Sequence, residues 1–167
     1  MSDISESSID LDTIDLALLA QLQSDALLSN QALAEAVHVS PPTCLRRVKR
    51  LREAGLIERQ VAIVNIDRLA RITGHGLQAI VEITLDRQGD KEQQAFEARV
   101  AQDAAVQQCY RVSPGPDFVL IVHAQDMPDY LALAQRLFTS DANVRNVKAF
   151  FSLHRAKFEP AVPLARR

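Results

Sequence analysis

The side chains best suited to bind phosphate groups are concentrated in one short segment, residues 40–60. This segment holds six Lys and Arg residues against two Glu, whereas residues 1–39 hold seven acidic residues and no Lys or Arg. The net charge of −2 argues against a uniformly basic nucleic-acid-binding surface, but a local positive stripe can attract phosphate. Such a stripe is also common on a solvated helix face, so its meaning depends on the elements around it.

Catalytic and metal-binding motifs are missing from the sequence. Cys44, Cys109 and the four histidines do not have the spacing of a zinc site, and two cysteines cannot form a disulfide framework. The sequence has no H-E-x-x-H motif, P-loop, G-x-G-x-x-G motif or Ser-His-Asp order. His123 and His154 have no nucleophile beside them, and we expect both to be hydrogen-bonded structural residues. We therefore predict no catalytic residue, metal or cofactor. An enzyme would be recognised by turnover of a substrate.

The chain of 167 residues has an ordinary globular composition, with 47% hydrophobic and 24% charged residues. Its length suits one large domain or two small ones. It has no run of about 18 apolar residues, which a membrane span requires. The first ten residues have neither the basic nor the apolar region of a secretory signal. The sequence therefore predicts a cytoplasmic protein without a membrane partner.

Two short helices are predicted before the cationic segment. Asp12 is a suitable N-cap, Asp15 takes the third helical position of a capping box, and an apolar stripe continues to about Ser24. Ser29 or Asn30 then caps a second helix. About three residues separate this helix from a third, which is the spacing of a helix-turn-helix motif. The later helix of such a pair fits the DNA major groove.

The third predicted helix has an apolar side and a cationic side. Ser40 is its N-cap, Pro41 takes the first helical position, and Gly55 ends it. At about 100° per residue, the apolar side carries Cys44, Leu45, Val48 and Leu51. The opposite side carries Thr43, Arg46, Arg47, Lys49 and Arg50. We expect Thr43 to lie closest to base edges and the arginines to bind phosphate or guanine.

The second half of the chain has the hydrophobic pattern of a small α+β domain. Glu58–Asn65 predicts a short strand, and Gly74 and Gly76 mark a hinge. Four further strands are predicted at residues 77–85, 106–112, 118–122 and 144–153. Helices are predicted at residues 91–102 and about 127–138, the latter burying Met127, Tyr130, Leu131, Ala134, Leu137 and Phe138. The order βαββαβ predicts a ferredoxin-like antiparallel sheet with both helices on one face.

The predicted sheet leaves its other face without helices. Ile80 of the first strand and Phe150 of the last strand fall on this open face. Apolar residues at these positions favour a homodimer formed by sheet-on-sheet packing. A dimer would supply the two-fold symmetry with which helix-turn-helix proteins reach DNA half-sites one turn apart. The alternative is that both residues are isolated surface hydrophobics.

Four short segments form an ordered set over about 47 residues in the first part of the chain. They are Leu11-Asp-x-x-Asp15, Leu28-Ser-Asn-x-x-Leu33-Ala, Val39-Ser-Pro-x-x-Cys44-Leu-Arg-Arg-Val48-x-Arg-Leu51 and Gly55-Leu-Ile57. This set resembles the winged helix-turn-helix DNA-binding half of the Lrp/AsnC (feast/famine) transcriptional regulators. The family usually has Gly in place of His38, a residue that tolerates positive φ better than most. The resulting candidate DNA-binding residues are Asn30, Ser40, Pro41, Thr43, Arg46, Arg47, Lys49 and Arg50.

Two further segments resemble the effector-binding (RAM) domain of the same family. They are Val112-Ser-Pro-Gly-Pro-Asp117-Phe-Val-Leu and Asp126-Met127-Pro-Asp-Tyr130. The family typically has Gly after the Ser and an aromatic residue before the Asp; here Pro114 and Pro116 stand there instead and stiffen the loop. The resemblance implies an amino-acid site between dimers, in which Asp117 holds the amino group or the loop itself. The implied site residues are Arg111, Gly115, Pro116, Asp117, Met127, Phe150, Phe151 and Ser152.

The sequence thus predicts a DNA-binding domain at 1–60, a linker at 61–73, an effector-binding and oligomerisation domain at 74–158, and a C-terminal tail at 159–167. The predicted function is a sequence-specific transcriptional regulator that binds double-stranded DNA. Its oligomeric state or DNA affinity would respond to a small amino acid, and its homodimers would assemble to a tetramer or octamer. The alternatives are an effector-independent regulator, or a ligand sensor whose second domain serves mainly oligomerisation. An RNA-binding role is disfavoured because the sheet lacks adjacent stacking aromatics.

Overall fold

The computed structural model describes residues 9–74 and 76–164, which form two compact units. The first unit contains residues 9–63 and also 158–164, so residues 159–164 of the predicted C-terminal tail group with the first unit. Gln23 and Val162 are joined there by two hydrogen bonds. The second unit is Val64–Lys157. No helix among the described residues has the length and apolar character needed to cross a bilayer.

The first unit is built from three helices: α1 (Thr13–Ser24), α2 (Asn30–Ala36) and α3 (Pro41–Glu53). The predicted capping box is confirmed, because Asp12 accepts from the backbone N–H groups of Ile14 and Asp15, and Asp15 accepts from that of Asp12. Ser29 caps α2 by accepting from the N–H of Ala32 at 3.1 Å. These local bonds fix where α1 and α2 begin.

The end of α3 and the turn before it adopt left-handed backbone conformations. Gly55 has a φ of 72°, and its N–H donates to the carbonyl of Arg52 while that of Leu56 donates to Leu51. This pair of bonds is a Schellman motif. His38 has a φ of 56°, so the position at which the family usually has Gly does require a positive φ.

One prediction for α3 is wrong: Leu45 is not part of the core. The core of the first unit consists of Leu18, Leu33, Ala34, Cys44, Val48 and Leu51. Leu45 instead has 61% of its surface exposed. The buried stripe of α3 is narrow, and Leu45 lies about 100° around the helix from Cys44, outside that stripe.

The strand predicted at Glu58–Asn65 is also wrong. These residues have no regular secondary structure, and Val61, Ile63 and Val64 are exposed. The predicted strand has no partner among the described residues, and a strand without a partner leaves its backbone groups unpaired. Helix α4 (Ile66–Thr73) follows, capped by Asn65 and ended by Gly74.

After α4, the second unit has the predicted βαββαβ order. Its elements are β1 (Leu77–Leu85), α5 (Asp90–Val100), β2 (Val106–Arg111), β3 (Phe118–Ala124), α6 (Met127–Ala134) continued by a π-helical turn (Gln135–Thr139), and β4 (Val144–Phe151). The strand order in the sheet is β2-β3-β1-β4, and each neighbouring pair is antiparallel. The ferredoxin-like prediction is therefore confirmed.

The core of the second unit lies between the sheet and the helices. Alternate residues of β1 and β3 are buried against α5 and α6, and Phe96 stacks on Phe118 with ring centroids 4.7 Å apart. The predicted buried stripe of α6 is wrong at two positions and omits a third. Leu131 and Met127 are exposed, and Leu133 is buried with Tyr130, because the stripe continues through positions i and i+3.

Candidate nucleic-acid interface and effector-binding loop

The outer face of α3 presents four exposed side chains: Pro42, Leu45, Arg46 and Lys49. They are spaced i, i+3, i+4 and i+7, so they form one stripe along the helix. The Lys49 side chain is 74% exposed and lies 3.6 Å from Glu53. No carboxylate among the described residues forms an ion pair with Arg46. The predicted exposure of these two cations is therefore confirmed.

Two other arginines of α3 form ion pairs with acidic residues at the N-terminal end of α1, the N-cap Asp12 and Asp15. Arg47 Nη1 lies 2.7 Å from Asp12 Oδ2 and 2.9 Å from Asp15 Oδ1, and Arg50 Nη2 contacts Asp15 Oδ2. The carboxylate of Asp15 is fully buried, whereas Arg47 keeps 21% of its side chain exposed. We call these four residues the acid–arginine cluster. The prediction that Arg47 is a free outward cation is wrong, because α1 places two carboxylates beside it.

Two members of the acid–arginine cluster, Asp12 and Arg47, have pKa values shifted by their neighbours. The backbone N–H of Asp15 and the guanidinium of Arg47 lower the pKa of Asp12. Hydrogen bonds to Asp12 and Asp15 raise the pKa of Arg47. A buried carboxylate such as that of Asp15 is tolerated only when it is paired and hydrogen-bonded. The cluster meets this requirement with two acids and two bases, so it has no net charge to offer to phosphate.

The remaining predicted DNA-binding residues meet at the N-terminus of α3. Asn30 Nδ2 donates to the carbonyl of Pro41 at 2.9 Å, which ties α2 to α3. Ser40 takes the N-cap position, but its hydroxyl makes no capping bond and lies 2.8 Å from the hydroxyl of Thr43. Thr43 is half-buried. The structure therefore gives Asn30, Ser40 and Thr43 internal partners at the helix end predicted to meet the bases.

The loop between β2 and β3, which is predicted to bind an effector, is held in place by Asp117. Its Oδ2 accepts from the backbone N–H of Leu85 at 2.7 Å and from the amide of Gln88 at 3.3 Å. Its own N–H donates to the carbonyl of Ile83 at 2.8 Å. Asp117 therefore joins the loop to the end of β1, the second of the two roles expected for it. Gly115, exposed at the loop tip, has a φ of 129°.

The predicted effector residues fall into two groups at opposite ends of the sheet. The loop group contains Arg111, Gly115, Pro116 and Asp117. The strand-end group contains Met127, Phe151 and Ser152. Because Phe118 pairs with Arg111 and Ile83, whereas Ala124 pairs with Leu77, the two groups are separated by the length of β3. Six residue steps along a strand span about 20 Å. One chain therefore does not bring the predicted effector site together.

Two of the predicted effector residues, Arg111 and Phe150, lie far apart on the sheet. Arg111 Nε donates to Glu97 of α5 at 2.8 Å, and this hydrogen bond raises the pKa of Arg111. Arg111 thus lies at the β2 edge, on the helix side of the sheet. Phe150 lies at the β4 edge on the open face, where it is 53% exposed. The two residues occupy opposite edges and opposite faces.

The open face of the sheet has a short apolar row. Ile80 pairs in register with Phe150 on one side and with Ile121 on the other, and Ile80 is 42% exposed. Neighbouring positions are polar, including the cross-strand pair of Glu82 and Lys148. The predicted apolar positions of the open face are therefore exposed and contiguous.

The two histidines predicted to be structural, His123 and His154, lie in different surroundings. His123 Nδ1 is buried and has no hydrogen-bond partner among the described residues, so the expectation of a hydrogen-bonded histidine is wrong there. His154 is exposed. Both line a cavity of about 70 Å³ together with Ser152 of the strand-end group. No group of three His, Cys, Asp or Glu side chains in the described part of the chain is placed to hold a metal ion.

Two features of the interface differ from the sequence predictions. Leu45, predicted in the core, belongs to the outer face. Asp12 and Asp15, predicted as capping residues, also bind the guanidinium groups of Arg47 and Arg50. One signal was available: residues 1–39 concentrate acids and residues 40–60 concentrate bases. Opposite charges on packed helices favour pairing between them.

Comparison with known proteins gives matches over both units. The Lrp/AsnC ligand binding domain family matches residues 78–162, and a winged helix-turn-helix DNA-binding family matches residues 11–58. The leucine-responsive regulatory protein of Rhizobium meliloti (strain 1021) is 34% identical over 89% of this chain and 93% of its own length. The DNA-binding transcriptional activator DecR of Escherichia coli (strain K12) is 32% identical over 92% of this chain and 99% of its own length.

A solved structure extends the similarity to three dimensions. A transcriptional regulator of Neisseria meningitidis, crystallised as a complex with L-Met, aligns with a TM-score of 0.80 at 27% sequence identity. The alignment covers 92% of this chain and 97% of that chain.

Proposed function

The chain belongs to the Lrp/AsnC family of DNA-binding transcriptional regulators, and from this premise we propose that a small amino acid controls its assembly or DNA affinity. The prediction that it is not an enzyme is confirmed by relatives that are named transcriptional regulators. The observation that supports its mode of DNA binding is the outer face of α3. A DNA-binding role also fits the predicted cytoplasmic location, which stays a prediction.

In this proposal the outer face of α3 enters the major groove. Arg46 can bind guanine O6 and N7 or a phosphate, and Lys49 provides a second positive charge one turn further along the helix. Both cations are exposed: Arg46 has no ion pair among the described residues, and Lys49 has only a solvent-exposed pair with Glu53 to give up. Arg47 would have to leave two carboxylates, which opposes its use as a phosphate contact.

The second part of the proposal is a homodimer formed through the open face, from which tetramers or octamers assemble. The row of Ile80, Ile121 and Phe150 supplies an apolar centre, and stacked sheets pack about 10 Å apart. Replacing Phe150 by Asp should reduce the particle mass measured by light scattering. The same change at Leu27, an exposed leucine outside the sheet, should leave the mass unchanged.

The third part is the place of the effector. The loop group and the strand-end group lie about 20 Å apart in one chain, so one amino acid cannot contact both. We propose that the groups meet across copies of the chain, where backbone N–H groups near Gly115 bind the carboxylate. An effector bound between copies favours the assembly that creates its site, which couples ligand to oligomeric state.

A second candidate is a regulator without an effector, in which the second unit serves oligomerisation. Two observations favour it. Pro114 and Pro116 lack backbone N–H donors and stiffen the loop. The carboxylate of Asp117 is already occupied by Leu85 and Gln88.

The test combines a thermal-shift screen of the amino acids with light scattering on the full chain. The proposal predicts that at least one amino acid raises the unfolding midpoint and changes the particle mass. Met127→Ala should weaken that response, while Leu131→Ala, an exposed change on the same helix, should not. If no amino acid has an effect on a chain that still binds a selected duplex, the effector-independent candidate is correct.

A further inference from the structure

Leu45 is an exposed leucine on the helix that carries the DNA-binding cations. It lies between Cys44, which is fully buried, and Arg46, which is exposed. Leu45 is not one of the described residues that form the core of the first unit. An isolated exposed leucine is common on protein surfaces, so its position along α3 decides what can be inferred.

The position of Leu45 is that of a base-contacting residue. The outer face of α3 has the spacing i, i+3, i+4 and i+7, and Leu45 is its second member. A recognition helix in the major groove contacts bases with this same spacing, as homeodomains illustrate. Leu45 is in the N-terminal half of α3, where helix-turn-helix proteins approach base edges most closely. Pro42, one turn earlier, extends the apolar surface beside Arg46.

The chemistry of the major groove specifies what an apolar side chain can recognise there. Base pairs present hydrogen-bond donors and acceptors along this groove, and the C5 methyl of thymine is the one apolar group. Leucine has no hydrogen-bonding group, so it would leave a donor or acceptor of another base unpaired. We propose that Leu45 is a specificity-determining residue that selects thymine by contact with its C5 methyl group. This inference rests on the proposed entry of α3 into the major groove.

The test uses the full chain and a duplex that it enriches from a random library. Each thymine of that duplex is replaced in turn by uracil, which removes only the C5 methyl group. Binding is then measured by fluorescence anisotropy for the natural chain, Leu45→Ala and Leu27→Ala. Leu27 is also an exposed leucine of the first unit, but it lies outside α3 and serves as the matched control.

For the natural chain and Leu27→Ala, uracil at one or two symmetry-related positions should weaken binding about threefold to fivefold, as expected for one buried methyl group. For Leu45→Ala, uracil at those positions should have no effect. The inference is overturned if Leu45→Ala responds to uracil as the natural chain does, or if no uracil affects the natural chain. The inference would also be overturned if Leu45→Ala bound the thymine duplex and the uracil duplex more weakly than the natural chain by the same factor. Leu45 would then make a different contact, such as one with a second copy of the chain. Failure of the natural chain to enrich any duplex would overturn the proposed function itself.

Discussion

Arg46 and Arg47 are neighbours on α3 with the same chemistry and opposite surroundings. Arg47 is held by two carboxylates of α1 and is mostly covered, whereas Arg46 is exposed and belongs to the outer face. One residue step turns a side chain by about 100°, which is enough to move it from the α1 side of α3 to solvent. The total charge of the cationic segment therefore overstates the charge available to DNA, because Arg47 and Arg50 neutralise Asp12 and Asp15.

The same distinction applies in the second unit. Asp117 is predicted to bind an effector, but its carboxylate accepts a hydrogen bond from the end of β1. Met127 lies at the other end of the sheet, where its side chain is exposed. Among the described residues, no hydrogen bond to the Met127 side chain holds the fold together. In both units, the residues suggested by a motif divide into those that hold the fold and those that remain available to a ligand.

The largest effect should come from removing the buried acid of the acid–arginine cluster. Asp15→Ala leaves Arg47 without its buried partner and removes an acceptor for Arg50. We expect the free energy of unfolding to fall by about 2–3 kcal/mol, less than the loss for a fully buried pair because both arginines are partly exposed. Urea unfolding measures this change. Glu53→Ala, which breaks only the exposed pair with Lys49, should cost no more than about 0.5 kcal/mol. Equal losses for the two variants would remove the distinction between the sides of α3.

A smaller loss is expected from Asp117→Ala, which extends the comparison to the second unit. The variant leaves the buried N–H of Leu85 without an acceptor, so stability should fall by about 1–2 kcal/mol in urea unfolding. Asp86→Ala, an exposed change beside the same strand end, is the control. Unchanged stability of Asp117→Ala would mean that the carboxylate is available to an effector.

The charge of Asp12 should make the smallest contribution to stability and should depend on pH. Its folded pKa is lowered, so the stabilisation is fully present above the unfolded pKa of about 3.9 and is lost as pH falls through the folded pKa. Asp12→Asn keeps a capping side chain but removes the charge. At neutral pH the variant should be less stable by about 0.5 kcal/mol, and this difference should vanish in acid. A difference that persists unchanged at pH 2 would assign the effect to the hydrogen bonds alone.

Local sequence signals predicted most of the fold. Asp12, Ser29 and Gly55 act through neighbours in the chain, so the starts of α1 and α2 and the end of α3 follow from residue types. The alternation in β1 likewise predicted its buried face. The prediction of a strand around Val61 is wrong because a strand needs a partner strand, and a local sequence pattern does not show whether a partner is present.

The candidate sites were less predictable because they depend on contacts between distant segments. The partners of Arg47 lie on α1, more than 30 residues earlier in the chain. The exposure of Leu45 depends on how narrow the buried stripe of α3 is, since Leu45 has the same hydrophobicity as its buried neighbours. The separation of Asp117 from Met127 follows from strand register, which the sequence motifs do not contain.

The most direct test of the central claim is the salt dependence of DNA binding. For each variant, the affinity for the selected duplex is measured over a series of salt concentrations at a temperature where the variant is folded. Each phosphate contact that is lost lowers the slope of log K against log salt by about 0.9. If Arg46 or Lys49 contacts a phosphate, replacing that residue by Ala should lower the slope. The variant Arg47→Ala should keep the slope of the natural chain. A slope that falls for Arg47→Ala and stays unchanged for both other variants would contradict the assignment of DNA binding to the outer face.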